Sequence, residues 1–287
     1  MTSATQYQHI GVRPLSEFIG AEVEGIDLSS QLNDECFAEL RQAFLEHGVI
    51  FFRDQELDPD QQVAFAERWG PINVNRFFNP VPGYPKVAQV LKEPKHERNI
   101  GGGWHTDHSY DEIPALGSAL YAKELPSQGG DTMFASLGAA FDALSDSFKD
   151  MLRGLRAHHS SRHVFGHGRH KGAGKSENEG RIGNPDAATQ DATHPVIIRH
   201  PDSGREILYV NPGFTIGIEG WSEAESNALL SFLYEHAKQE QFIYRFNWEV
   251  GSLALWDNRA TWHCALNDYP GERRYMHRVT IEGTALN

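Results

Sequence analysis

Two residues near the middle of the chain have types and a spacing that suit a metal site. His105 and Asp107 follow the glycine run 101–103 and are separated by one residue. In an extended strand, residues two apart point to the same side, so an imidazole nitrogen and a carboxylate oxygen would meet at one point. A third ligand must come from elsewhere, and His263 is the best candidate. Two histidines and one carboxylate on one face of a metal ion are typical of non-haem Fe(II) oxygenases.

The His-x-Asp pair alone is a weak signal. A chain with 15 histidines contains such pairs by chance, and a surface pair or a satisfied core histidine would look the same. Other motifs strengthen the interpretation, because Thr132 follows a Gly-Gly-Asp turn and Arg274 and Arg278 come shortly after His263. Together these motifs resemble the taurine dioxygenase family of Fe(II)/2-oxoglutarate oxygenases, and the resemblance extends over about residues 12–283.

The resemblance implies an enzyme and gives each motif a role. His105, Asp107 and His263 would bind Fe(II) and leave positions open for the cosubstrate 2-oxoglutarate and for O2. Arg274 would hold the far carboxylate of 2-oxoglutarate, with Thr132 beside it, because a planar guanidinium binds a carboxylate through two parallel hydrogen bonds. Members of the family hydroxylate a substrate while 2-oxoglutarate is converted into succinate and CO2.

A second arginine and a set of pocket residues would bind the substrate. Arg278 lies four residues after Arg274, so both side chains would face the same side of one strand, and in the family this position binds an anionic head. A surface ion pair is the alternative for either arginine. The pocket positions implied by the resemblance are Tyr110, Phe165, Phe214, Asn75 and Phe78. We therefore expect a small organic anion, a carboxylate, sulfonate or sulfate, with an apolar body.

The expected pocket departs from that of taurine dioxygenase itself. Asn75 and Phe78 stand where that enzyme has a histidine and a tyrosine, and Gly101 stands where it has an asparagine. Without those groups the ammonium of taurine would be buried without a partner, which is costly. Taurine dioxygenase proper is kept as an alternative, as is a non-catalytic jelly-roll binding protein. A halogenase is disfavoured, because halogenases of this type usually lack the carboxylate that Asp107 supplies.

Charge and cysteine content narrow the expected partners. The chain has 26 Lys and Arg against 39 Asp and Glu, a formal net charge of -13, whereas nucleic acids and anionic membranes require a basic surface. Cys36 and Cys264 do not make a disulfide framework, and the N-terminus lacks a leader pattern. We expect a cytoplasmic homo-oligomer, a dimer or a tetramer, that binds neither nucleic acid nor membrane.

Turn signals and apolar patterns predict many short strands and a few helices. Helices are expected after five capping residues, Asn33, Asp58, Ser136, Ser145 and Ser222. With the resemblance, this pattern predicts a mainly β protein with flanking helices, a cupin-like double-stranded β-helix or jelly roll. We expect a single domain over 1–287.

One long polar segment, 166–193, shows little periodicity, and we expect it to be a lid or a flexible loop. Its histidines, His167 and His170, are expected to be solvated rather than to form a second metal site.

Overall fold

The computed structural model describes residues 7–167 and 181–286, and these residues form a mainly β protein, as predicted. The strands, numbered in chain order, are β1 (Gly11–Pro14), β2 (Ala21–Glu24), β3 (Val49–Phe52), β4 (Ile72–Asn73), β5 (Pro80–Val81), β6 (Tyr84–Lys92), β7 (Gly117–Glu124), β8 (Thr132–Ser136), β9 (Arg156–Ser160), β10 (Asp191–Pro195), β11 (Ile197–Arg199), β12 (Glu206–Leu208), β13 (Thr215–Ile218), β14 (Ile243–Phe246), β15 (Leu253–Asp257), β16 (Thr261–Ala265) and β17 (Arg274–Ile281).

The largest sheet contains strands from both ends of the chain. Its order is β1-β2-β3-β15-β7-β17-β6-β5, with β4 also paired to β17. All its pairs are antiparallel except β2 with β3. Because β15 and β17 lie among strands from the first half of the chain, residues that are distant in sequence become neighbours.

A second sheet, β14-β8-β16, packs against the large one through aromatic rings. Phe51 of β3 stacks on Phe246 of β14 with the ring centroids 3.9 Å apart, and Trp256 of β15 lies 5.7 Å from Phe134 of β8. All four side chains are buried, and β3 and β15 are buried along their whole length, which fits their continuous apolar runs. The two layers are those expected of a jelly roll.

The helices cover the sheets and begin largely where the capping residues predict. They are α1 (Asp34–His47), α2 (Pro59–Glu67), α3 (Leu137–Asp142), α4 (Asp146–Arg153), α5 (Arg162–Phe165) and α6 (Glu223–Ala237). Asp58 and Ser222 form complete capping boxes, but Ser145 makes no side-chain capping bond. Met151 of α4 is 41% exposed. Among the described residues, every helix is too short or too polar to span a bilayer.

Several elements were not predicted from the sequence. β9 and β10 lack a strong apolar pattern because polar and histidine residues interrupt it, and β13 and the helix α5 have only four residues each. Strand β10 begins at Asp191, so the end of the expected loop 166–193 is a strand. Residues 168–180 of that loop, including His170, lie outside the described residues. His167 Nε2 contacts Asp186 Oδ1 at 2.6 Å on the surface, as expected for a solvated histidine.

Candidate active site

An antiparallel bridge brings the two histidines of the predicted triad together. His105 and His263 are partners in this bridge, and their backbones exchange hydrogen bonds of 3.1 Å and 2.9 Å. His263 lies in β16, but Asp107 lies in a turn and not in the extended strand that the spacing predicted. The His-x-Asp pair therefore converges through a bridge followed by a turn, and strand alternation is the wrong explanation for it.

The three side chains meet at one point. His105 Nε2 lies 3.7 Å from Asp107 Oδ1, and His263 Nε2 lies 3.8 Å from Asp107 Oδ2. One donor atom from each residue lies within 4.8 Å of the other two. Metal bonds of about 2.0–2.2 Å to nitrogen and oxygen place neighbouring ligands about 3–4 Å apart, so this donor set fits a metal ion after small side-chain shifts.

Neighbouring groups orient the ligands. His105 Nδ1 lies 2.7 Å from the carbonyl of Gly103, and because a carbonyl only accepts, Nδ1 carries the hydrogen and Nε2 offers its lone pair. Ser118 Oγ donates to Asp107 Oδ2 at 3.3 Å. A Cβ on Gly213 would lie 2.7 Å from the Cβ of His105, so only glycine permits this approach.

Burial and neighbouring charges set the protonation states of the triad. Burial alone would raise the pKa of the Asp107 carboxyl, but Arg278 first, and then His263 and His105, hold this pKa well below its ordinary value. Burial, and then the charge of His105, place the pKa of His263 well below its ordinary value. At neutral pH the site therefore offers an ionised carboxylate and a neutral imidazole, the states that metal coordination requires.

Arg274 is a buried cation whose hydrogen-bonding atoms are incompletely used. Its Nε and Nη2 are buried and have no hydrogen-bond partner among the described residues. The guanidinium carbon lies 5.7 Å from the ring centroid of Trp248. The Arg274 side chain also packs closely against Gly130, because a Cβ added to Gly130 would lie 3.3 Å from Arg274 Cδ. Burial lowers the pKa of Arg274. Because an unpaired buried cation is costly, this position fits an anionic ligand.

Thr132 of β8 lines the same cavity as Arg274, as the predicted pairing requires. Its Oγ1 accepts a hydrogen bond of 3.0 Å from Trp248 Nε1, so its own hydrogen remains available for donation. Trp248 thus contacts both residues that were predicted to bind 2-oxoglutarate.

Arg278 lies between the triad and an aromatic ring. Its Nη1 is 3.3 Å from Asp107 Oδ2, and its guanidinium carbon lies 4.5 Å from the ring centroid of Phe78. Arg274 and Arg278 both line the cavity, as their even spacing on β17 predicted. A positive charge therefore stands where the cavity meets the triad.

Aromatic rings form one wall of this cavity, which has a volume of about 390 Å³. Phe77 and Phe165 stack with ring centroids 4.1 Å apart, and Tyr110 packs edge-on against Phe214 at 4.8 Å. Tyr110, Phe165, Phe214 and Phe78 all line the cavity. This wall suits the apolar part of a ligand.

Asn75 and Gly101 also line the cavity. Asn75 Oδ1 accepts hydrogen bonds of 2.9 Å from the backbone nitrogens of Phe77 and Phe78, and these bonds stabilise the backbone turn that carries both aromatic residues. Its amide NH2 is the part that remains for a ligand. Gly101 has φ of 79°, a conformation in which a side chain would be strained.

Three residues that position the site, Trp248, Asp131 and Arg245, were missed by sequence reasoning. Trp248 reaches Thr132 because β14, which ends two residues earlier, pairs with β8. Asp131 accepts a 2.7 Å hydrogen bond from Arg245 Nε and fixes the turn before Thr132. The Gly-Gly-Asp-Thr motif contains Asp131 and could have signalled it, but no motif marks Trp248 or Arg245.

The fold and the site together define a class of protein. A jelly roll with a two-histidine, one-carboxylate triad beside an open cavity and a buried arginine is the construction of an Fe(II)- and 2-oxoglutarate-dependent dioxygenase. Residues 11–280 match the family described as "Taurine catabolism dioxygenase TauD, TfdA family", and the chain belongs to this family. The predicted family and enzyme class are thereby confirmed.

Individual relatives are similar to this protein over nearly its whole chain. The alkylsulfatase of Acinetobacter baylyi is 32% identical over 96% of this chain and 86% of its own length. The alpha-ketoglutarate-dependent 2,4-dichlorophenoxyacetate dioxygenase of Cupriavidus pinatubonensis is 32% identical over 95% of this chain and 98% of its own. The crystal structure of a taurine dioxygenase from Burkholderia xenovorans matches with a TM-score of 0.82 and 34% identity, and it covers 97% of this chain and 93% of the solved one. This similarity confirms the jelly-roll prediction.

Proposed function

We propose that the chain hydroxylates a small organic anion with an apolar body, and that it does so with Fe(II), O2 and 2-oxoglutarate in one domain over 1–287. The observation that carries the proposal is the triad of His105, Asp107 and His263 beside a buried Arg274 whose Nε and Nη2 have no partner among the described residues. Such an arrangement is incomplete without a metal ion and a carboxylate ligand.

Each residue of the triad and its neighbourhood has a distinct task in this proposal. His105, Asp107 and His263 hold Fe(II), while Arg274 and Thr132 hold the far carboxylate of 2-oxoglutarate. When bound, the iron and 2-oxoglutarate activate O2, with succinate and CO2 as coproducts. The Arg274 guanidinium orients the cosubstrate, because two parallel hydrogen bonds to a carboxylate fix its direction as well as its position.

Arg278 and the aromatic wall act on the substrate. The Arg278 guanidinium attracts its anionic head, and the contact with the Phe78 ring keeps that guanidinium in place. Tyr110, Phe165 and Phe214 enclose the apolar body and exclude water from the reacting carbon. Positioning of this kind lowers the barrier, because the reacting atoms no longer have to find one another.

The head group is proposed to be a carboxylate, a sulfonate or a sulfate. The names of the relatives include a sulfatase and a dichlorophenoxyacetate dioxygenase, so related proteins act on anions of several chemistries. Taurine dioxygenase proper is a less favoured alternative, because Asn75 Oδ1 is occupied by the backbone and Phe78 has no polar atom in its side chain. We also propose that the protein is a cytoplasmic homo-oligomer, a dimer or a tetramer. We propose that it binds neither nucleic acid nor membrane, because its net charge is -13.

Succinate release tests the proposed function. Purified protein is supplied with Fe(II), O2, 2-oxoglutarate and each member of a panel of sulfonates, alkyl sulfates, aryloxyalkanoates and phosphonates. We expect succinate release that depends on all components and that disappears in His105→Ala. His9→Ala, which changes an exposed histidine, is the matched control and should behave as the unmodified protein. Succinate release that is unchanged in His105→Ala would contradict the proposal.

A further inference from the structure

His108, the residue directly after Asp107, has an unusual backbone conformation. Its φ is 60°, in the left-handed region that residues other than glycine seldom adopt. The residue is 2% exposed and lines the cavity that contains the triad. Strained residues at such places are retained where the strain serves the site, so the ring of His108 calls for an explanation.

A hydrogen bond to a carboxylate fixes the orientation of the His108 ring. Its Nδ1 lies 2.9 Å from Asp111 Oδ2, and the Asp111 carboxylate also pairs with Arg76 Nη2. A carboxylate accepts and does not donate, so the hydrogen lies on Nδ1, and the tautomer that this hydrogen bond selects has its lone pair on Nε2.

The lone pair on His108 Nε2 has no donor within the part of the chain that the structure describes, although the atom is buried. Arg274 and Arg278 line the same cavity and also have buried nitrogen atoms without a hydrogen-bond partner among the described residues. Those two arginines are the proposed partners of the anionic groups. His108 Nε2 likewise lacks a partner among the described residues, although Asp111 and Arg76 hold its ring in a fixed orientation. This indicates that the ligand supplies the missing donor.

We propose that His108 determines specificity, because its Nε2 accepts a hydrogen bond from a hydroxyl or N–H group of the substrate. This inference rests on the proposed function, since it concerns the substrate of the same site. Among anions of similar shape, those that carry such a donor are selected. An analogue without the donor leaves Nε2 unpaired, and sites built around a hydrogen bond discriminate strongly against such analogues.

Matched pairs of sulfonates test the inference. Each pair consists of an alkyl or phenylalkyl sulfonate with a hydroxyl or amino group on its chain and an analogue with a methyl group in that place. Dissociation constants are measured without O2, from the change in the absorption band of the protein with Fe(II) and 2-oxoglutarate, so no turnover is needed. We expect the donor-bearing member of at least one pair to bind about tenfold more tightly or better.

Two variants separate recognition from a structural role. His108→Gly removes the ring and accepts the left-handed backbone, and we expect the ratio within the pair to fall to about one. Asp111→Asn is the control, because His108 Nδ1 and Arg76 Nη2 both contact Asp111 Oδ2 and an amide oxygen in that place still accepts from both. We expect this variant to keep the ratio of the unmodified protein. A purely structural role would weaken both members of a pair equally.

Equal binding of both members of every pair, including no binding at all, overturns the inference. A ratio that is the same in the unmodified protein and in His108→Gly also overturns it. The proposed function stands or falls separately, because the absorption band and succinate release with any anion support it whatever these ratios are.

Discussion

Two buried clusters of this protein contain histidine, aspartate and arginine, yet their bonds are satisfied to very different degrees. In the closed cluster (His200, Asp257 and Arg259), Arg259 Nε and Nη2 bond both oxygens of Asp257 at 2.8 Å and 2.7 Å, and His200 Nε2 bonds the same carboxylate at 2.9 Å. Each partner is at hydrogen-bond distance, so this cluster ties the turn before β16 together.

In the open cluster (His105, Asp107, His263 and Arg278), the contacts are longer. Arg278 approaches Asp107 no closer than 3.3 Å, and the imidazole nitrogens stay 3.7 Å and 3.8 Å from its oxygens. Residue types and burial therefore do not separate a functional site from a structural one. The distances do, because the open cluster has room for a metal ion between its donors.

The largest effect on this comparison should come from Asp107→Asn. The amide keeps the shape but loses the charge that binds the metal, so we expect succinate formation to fall at least about a hundredfold. The midpoint of thermal unfolding should stay close to that of the unmodified protein. A variant that retains its activity would remove the difference between the two clusters.

Arg259→Ala tests the closed cluster through stability. Breaking a buried ion pair by removing one partner leaves an uncompensated charge on Asp257, and we expect a loss of about 3–5 kcal/mol in the free energy of unfolding, measured with urea. Arg41 is the matched control, because its contact with Asp202 is 3.4 Å long and its side chain is 44% exposed. Arg41→Ala should cost about 0–1 kcal/mol. Equal losses for both variants would mean that the closed cluster is not structural.

Arg274→Lys tests how the cosubstrate 2-oxoglutarate is bound. An ammonium cannot reproduce the two parallel bonds of a guanidinium, so we expect the dissociation constant of 2-oxoglutarate to rise about tenfold to a hundredfold. The neighbouring Arg273 is 38% exposed and pairs with Glu93 at 3.2 Å, so Arg273→Lys is the control and should bind 2-oxoglutarate normally. Both constants are measured from the absorption band without O2.

The pH dependence of stability should reveal the closed cluster. Burial would raise the pKa of Asp257, but Arg259 and then His200 hold it below its ordinary value of 3.8. The unfolded chain therefore binds a proton before the folded chain does, and this contribution is present above about pH 4 and is lost as the pH falls through the folded pKa. The slope is about 1.4 kcal/mol per pH unit for this one proton. Unfolding of the unmodified protein and of Asp257→Asn between pH 7 and pH 3 measures it, and parallel curves would contradict it.

The sequence predicted those parts of the fold and site that depend on local signals. The capping boxes at Asp58 and Ser222 mark helices because the bonds they make lie within four residues. The even spacing of Arg274 and Arg278 likewise placed both on one face of β17.

Parts that depend on long-range pairing were not predictable. The bridge between His105 and His263, the bond from Trp248 to Thr132 and the strand β10 require contacts that no local pattern encodes. The orientation of the His108 ring was not predictable for the same reason, because Asp111, which contacts it, is paired with the distant Arg76.

Metal binding to three proteins tests the central claim most directly. Titration calorimetry with Mn(II), in the absence of O2, compares the unmodified protein with His263→Ala and His200→Ala. We predict one Mn(II) ion per chain for the unmodified protein and for folded His200→Ala, and loss of binding in His263→Ala. Mn(II) binding to His263→Ala with unchanged affinity would contradict the account.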